Sequence, residues 1–112
     1  MIDSFGIDEI IALYEKHGWV LRRVLLTDEL KAVVGERFAG VLPHAHVQTS
    51  GIDAAWFSRP PKTGVIPWEI RYLGDPPFAL LEFLDEADDD FETALSDVEQ
   101  RLTKSVLAKR SA

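Results

Sequence analysis

Cysteine is absent from the 112 residues, which excludes a disulfide framework, a thiolate nucleophile and every Cys-based zinc site. The absence fits a reducing compartment, and a cytoplasmic location is expected. Basic residues are scarce: 12 Lys and Arg stand against 19 Asp and Glu, for a formal net charge of -7. Affinity for nucleic acid rests on basic side chains releasing counterions, so no nucleic acid partner is expected. No apolar run approaches the ~20 residues that span a bilayer, and the opening MIDSFGIDEIIALYEK carries acids where a signal peptide has bases. Neither export nor membrane insertion is expected. A Gly-rich phosphate loop, a GxSxG elbow, internal repeats and low-complexity tracts are missing as well. No cofactor is implied.

What is there is ordinary globular material, 46% hydrophobic and 28% charged. One domain over residues 1–112 is expected, with only the last few residues free. Ile7, Ile10, Ile11 and Tyr14 recur at helical spacing, Ser4 can cap the start, and Lys16, His17 and Gly18 supply a basic last turn and a stop. This predicts a helix from about Ser4 to His17. The following WVLRRVLL favours a strand with apolar residues on both faces, hence a central one. Arg22 and Arg23 then point to opposite faces, so one of them leaves from the more buried side and needs a partner or must reach water. From Thr27 to Pro43 two readings compete. A short helix capped by Thr27 would bury Leu30, Val33 and Val34, whereas poor helix formers and the interruptions at Gly35 and Gly40 favour a pair of short strands.

Ile52 to Leu73 reads as a hairpin around Pro60-Pro61-Lys62-Thr63-Gly64. Val47 to Ser58 is its first arm, broken or bulged at Gly51, and Val65 to Leu73 its second, where Pro67 requires an edge or a bulge. Gly74 to Pro77 forms a turn and Phe78 to Leu84 a fourth strand. Phe91, Leu95, Val98, Leu102 and Val106 make the stripe of a final helix ending near Leu107, with Asp89 and Glu92 at capping-box spacing. Together these elements predict an α+β two-layer sandwich: an approximately four-stranded, mainly antiparallel meander with the N-terminal and C-terminal helices on one face. Trp68, Ile70, Tyr72, Ala79, Leu81 and Phe83 are assigned to the helix side. Glu69, Arg71, Leu73, Phe78, Leu80, Glu82 and Leu84 are assigned to the other, joined by Val20, Arg22, Val24 and Leu26.

Candidate chemistry is sparse. His44 and His46 share a strand face at i, i+2, a spacing suited to metal, but two ligands do not make a site, and a third would have to come from His17, Asp53 or another acid. The acids from Asp85 to Glu92 lack the alternation and central Gly of a calcium loop and read as a solvated helix entrance. Glu69 and Glu82 with Arg71 between them could do acid/base work, but with no nucleophile, phosphate loop or oxyanion element beside them they read as an ordinary cross-strand ion-pair ladder. Ser50 and Ser58 read as turn residues. Trp56 and Phe57 point to opposite faces beside Arg59, which means either an exposed binding aromatic or a core on both sides of the sheet.

These readings lead to a small non-enzymatic interaction or regulatory domain. It is expected to form a homodimer, or to bind a protein partner, through the mixed apolar and charged face of its sheet. Glu69, Arg71, Leu80, Glu82, Arg22, Phe57 and Arg59 are its candidate interface or ligand-binding residues. The alternative is a small enzyme, or a small-molecule or metal binder, using His44, His46, Arg71 and Glu82.

Overall fold

A computed structural model describes residues 4–32, 46–59, 66–74 and 78–111. The apolar stripe of the N-terminal segment forms α1 (Ser4–Lys16), and VLRRVLL forms β1 (Val20–Leu26). There follow β2 (His46–Thr49), β3 (Ala54–Ser58), β4 (Ile66–Tyr72), β5 (Phe78–Leu84) and α2 (Phe91–Ser111). The overall class is α+β, as the sequence predicts, but the sheet has five strands in the order β2-β1-β3-β4-β5. It is mixed, because β2 lies parallel to β1 while the other pairs are antiparallel. Val47 to Thr49 therefore does not extend the hairpin arm. The hairpin arm begins after Gly51, where Ala54–Ser58 pairs with β4. Thr27 does cap a helical turn over residues 28–32, its Oγ1 accepting the Leu30 N–H at 3.3 Å and its carbonyl the Lys31 N–H at 2.9 Å. The rest of the Thr27 to Pro43 segment, His44, the Pro60-Pro61 turn and Asp75 to Pro77 lie outside the described residues.

The helices do not share a face. Ile7 and Ile11 of α1 are buried with Val24, Ala55 and Phe57, whereas Leu95, Val98 and Leu102 of α2 are buried with Leu25, Ala54 and Trp56. Neighbouring residues of a strand point to opposite sides, so α1 and α2 cover opposite faces. The expectation of one helical layer is corrected accordingly. The reason lies in β3, whose five residues are all buried. A strand apolar in both phases needs cover on both sides, and this also places Trp56 and Phe57 in two separate cores.

A second correction concerns the two arginines of β1. Pairing with β3 slips between Leu21 and Arg23, with Leu21 opposite Phe57 and Arg23 opposite Trp56, which leaves Arg22 as an extra residue. A bulge of this kind breaks the alternation. Both guanidiniums emerge on the α2 side, Arg22 over the Trp68 ring at 4.7 Å and Arg23 over the Phe91 ring at 5.9 Å. A third correction concerns β5. Trp68 pairs with Glu82, Ile70 with Leu80, Glu69 with Leu81 and Arg71 with Ala79, and directly opposed residues share a face. Leu80 and Glu82 thus accompany Trp68 and Ile70 under α2, while Ala79, Leu81 and Phe83 accompany Glu69 and Arg71. Pro67 sits past the last β3–β4 pair, where its carbonyl accepts the Arg59 N–H at 3.1 Å; its missing donor falls where the ladder ends.

Turns lead into α2. Asp85 accepts the Ala87 N–H at 2.9 Å, Asp88 accepts the Asp90 N–H at 3.0 Å, and the Asp90 carbonyl takes the first helical bond, from Ala94. The helix continues past Leu107 to Ser111.

Candidate functional site

Where α1 meets the sheet, the sequence Tyr14-Glu15-Lys16-His17-Gly18-Trp19 makes a tight stop. Gly18 has φ of 87°, the left-handed conformation that glycine adopts freely. The Trp19 N–H donates to the Tyr14 carbonyl at 3.0 Å and the Gly18 N–H to that of Glu15 at 3.1 Å, the paired bonds of a Schellman motif. This turn holds Trp19 edge-on to Tyr14, with ring centroids 6.1 Å apart. Tyr14 in turn stacks on Phe57 at 4.1 Å, and its hydroxyl donates to the Glu69 carboxylate on β4. From the end of β3, Arg59 lays its guanidinium over the Trp19 ring at 4.8 Å and donates to the His17 carbonyl.

Between these groups lies an open cleft of about 280 Å³, lined by Leu13, Tyr14, His17, Trp19, Arg59 and Glu69. Burial pushes the Tyr14 hydroxyl above its ordinary pKa of 10.0, its hydrogen bond to Glu69 and the negative charge there push further, and Arg71 opposes weakly. Tyr14 is therefore a neutral donor, locked onto a carboxylate. The cleft offers aromatic walls, a carboxylate and, beside it, the helix-terminal carbonyl of His17.

The expected site residues separate into three groups. Glu69, Arg59 and Phe57 come together at this cleft, with Phe57 fully buried beneath it as part of the core. Arg71 lies on the same sheet face as Glu69 and donates to the Tyr72 carbonyl. Arg22, Leu80 and Glu82 lie on the other face: Leu80 packs into the α2 core and Glu82 pairs with Arg101 of α2. Arg71 and Glu82 thus do not share a site. The side chains of His44 and His46 lie outside the described residues, among which no group of three His, Cys, Asp or Glu is placed to hold a metal ion. Sequence reasoning passed over Tyr14 and Trp19, taking both for core. The signal that marks them is Gly18, because a helix stop in the left-handed conformation fixes the residues four before and one after it against each other.

A second polar cluster closes the α2 side. Arg22 donates to Ser58 Oγ at 3.1 Å and pairs with Glu86 at 2.8 Å, while Arg23 grips both oxygens of Glu92 at 2.6 and 2.9 Å. Trp56 Nε1 donates to Glu99 at 2.8 Å, and burial raises the Glu99 pKa against the opposing effects of that bond and of Arg23. With their donors turned onto these protein groups, the arginines knit the β1 bulge to the entrance of α2.

The third feature is a bare surface. On the α1 side of the sheet α1 covers β1 and β3, while on β5 Leu81 is 50% and Phe83 64% exposed. Ala79 is exposed beside them, and β5 is the edge strand of the sheet. No family model matches the chain, and no curated protein or solved structure is significantly similar to it. No helix among the described residues is long and apolar enough to cross a membrane.

Proposed function

We propose that this chain is a small cytoplasmic interaction domain that self-associates through the outer strand β5 and the uncovered face of β4 and β5. The observation that carries the reading is Phe83 beside Leu81, two large apolar side chains at least half exposed on an edge strand. An edge strand presents unpaired N–H and C=O groups, and monomeric proteins usually blunt such edges with charge. Here the uncovered face of the edge is apolar. Its pattern is also self-complementary. Two antiparallel copies of β5 centred on Leu81 would set Phe83 of one copy opposite Ala79 of the other, large against small, and a two-fold axis requires such a match. Arg71 flanks the patch on β4 and supplies a charge at its rim. A cytoplasmic setting is inferred from the absence of cysteine.

Sedimentation equilibrium tests this. The wild-type chain is expected to dimerise by about 100 μM, the range of a modest interface. Phe83→Glu should remain monomeric with an unchanged circular dichroism spectrum. A wild-type monomer throughout that range, or a Phe83→Glu dimer as tight as wild type, overturns the reading.

A further inference from the structure

We propose that the cleft at the end of α1 is a binding site for small organic cations, and that Arg59 is its built-in competitor. The last carbonyls of a helix carry the negative end of its dipole, and at α1 the His17 carbonyl points to Arg59. The face of Trp19 attracts a cation through the negative potential of its ring. Glu69 adds a carboxylate, of which Oε2 accepts the Tyr14 hydroxyl. Helix terminus, indole face and carboxylate therefore favour the same sign of charge at one place. The chain's net charge of -7 favours the same sign in solution.

A cation already occupies this place. The Arg59 guanidinium lies 4.8 Å from the centroid of the Trp19 ring, held to the His17 carbonyl. Yet Arg59 is an exposed side chain at the end of β3, so little packing holds it there, and a long side chain swings out at low cost. Beside it the cleft of about 280 Å³ leaves room for a molecule of one aromatic ring against Leu13 and Trp19. A ligand bearing a primary ammonium or guanidinium on a short apolar body would take the place of Arg59 over Trp19, with Glu69 as its counter-charge. Arg59 then lowers the apparent affinity by the fraction of time it leaves the indole face open. An anion-binding cleft would use Arg59 as its anchor, so the two signs of ligand predict opposite effects of removing it.

The test is a titration with benzylammonium, and separately with benzoate, followed by the amide and indole N–H shifts of Trp19 in wild type, Arg59→Ala and Glu69→Gln. Benzylammonium should shift Trp19 in the wild type. Arg59→Ala should bind it about tenfold more tightly, as expected if the open state is populated about a tenth of the time. Glu69→Gln should bind it several-fold more weakly, and benzoate should bind no better to any of the three proteins than benzylammonium does to wild type. Repeating the titration in the Phe83→Glu background separates the result from self-association. Weaker benzylammonium binding by Arg59→Ala, tighter binding of benzoate than of benzylammonium, or no shift of Trp19 in either wild type or Arg59→Ala overturns the proposal.

Discussion

Tyr14 shows how one side chain is bound by its surroundings at both ends. Its ring is held by stacking on Phe57 and its hydroxyl by Glu69. Because the folded protein raises its pKa above 10.0, with burial the largest cause, the sign of its contribution to stability follows from linkage. Below about pH 10 the hydroxyl is neutral in both states and the hydrogen bond counts in full. Above that pH the unfolded chain ionises first, so this contribution falls as pH rises toward the folded value. Urea unfolding of wild type and Tyr14→Phe at pH 8 and at pH 11 measures it. The advantage of wild type over Tyr14→Phe should shrink at pH 11, and an advantage that stays constant or grows would mean the hydroxyl is not shielded. Tyr14 was legible only as an apolar helix position. Its partner Glu69 lies 55 residues away in the chain, and no local pattern encodes that meeting.

Among the elements, those legible in the sequence are the ones whose pattern is local. Both helices and the cores of β1, β3, β4 and β5 follow from periodicity, and Gly18 marks the end of α1 as expected. Three features were not legible. β2 is four residues long and pairs in parallel with β1 across a long connection, a decision made by tertiary structure. The bulge at Arg22 is invisible because β1 is apolar in both phases. FALLEFL likewise alternates acceptably in either phase, so its facing is settled only by its register with β4. Burial sorts the leucines sharply. Leu102 of α2 is fully buried in the α2 core whereas Leu81 of β5 is half exposed. Leu102→Ala is expected to cost about 2 to 5 kcal/mol through transfer and cavity terms. Leu81→Ala, measured at concentrations where the chain is monomeric, should cost no more than about 0.5 kcal/mol. Urea midpoints decide, and equal losses at the two positions would contradict the assigned facing of β5.

At the scale of the whole molecule, one sheet is shared by two unequal cores. On one side α2 buries five side chains, Phe91, Leu95, Val98, Leu102 and Val106; on the other, among the residues of α1 whose side chains are described, Ile7 and Ile11 are buried, with Ile10 and Tyr14 partly so. Each large apolar side chain removed from water contributes about 1.5 to 3 kcal/mol before the entropy of ordering is subtracted. By these described contacts the attachment of α1 is the weaker of the two, and its release is expected to leave β1, β3, β4, β5 and α2 assembled. Native-state hydrogen exchange under low denaturant should find the α1 amides exchanging through an opening at least about 2 kcal/mol below global unfolding, while those of β3 and α2 exchange only with it. If the α1 amides join the global isotherm, the two cores form one cooperative unit. Undocking α1 carries Leu13, Tyr14 and His17 away from Glu69 and Arg59, so the cleft exists only while α1 is seated. A cation bound there would accordingly slow exchange in α1 more than in α2, coupling occupancy of the cleft to the seating of a single helix.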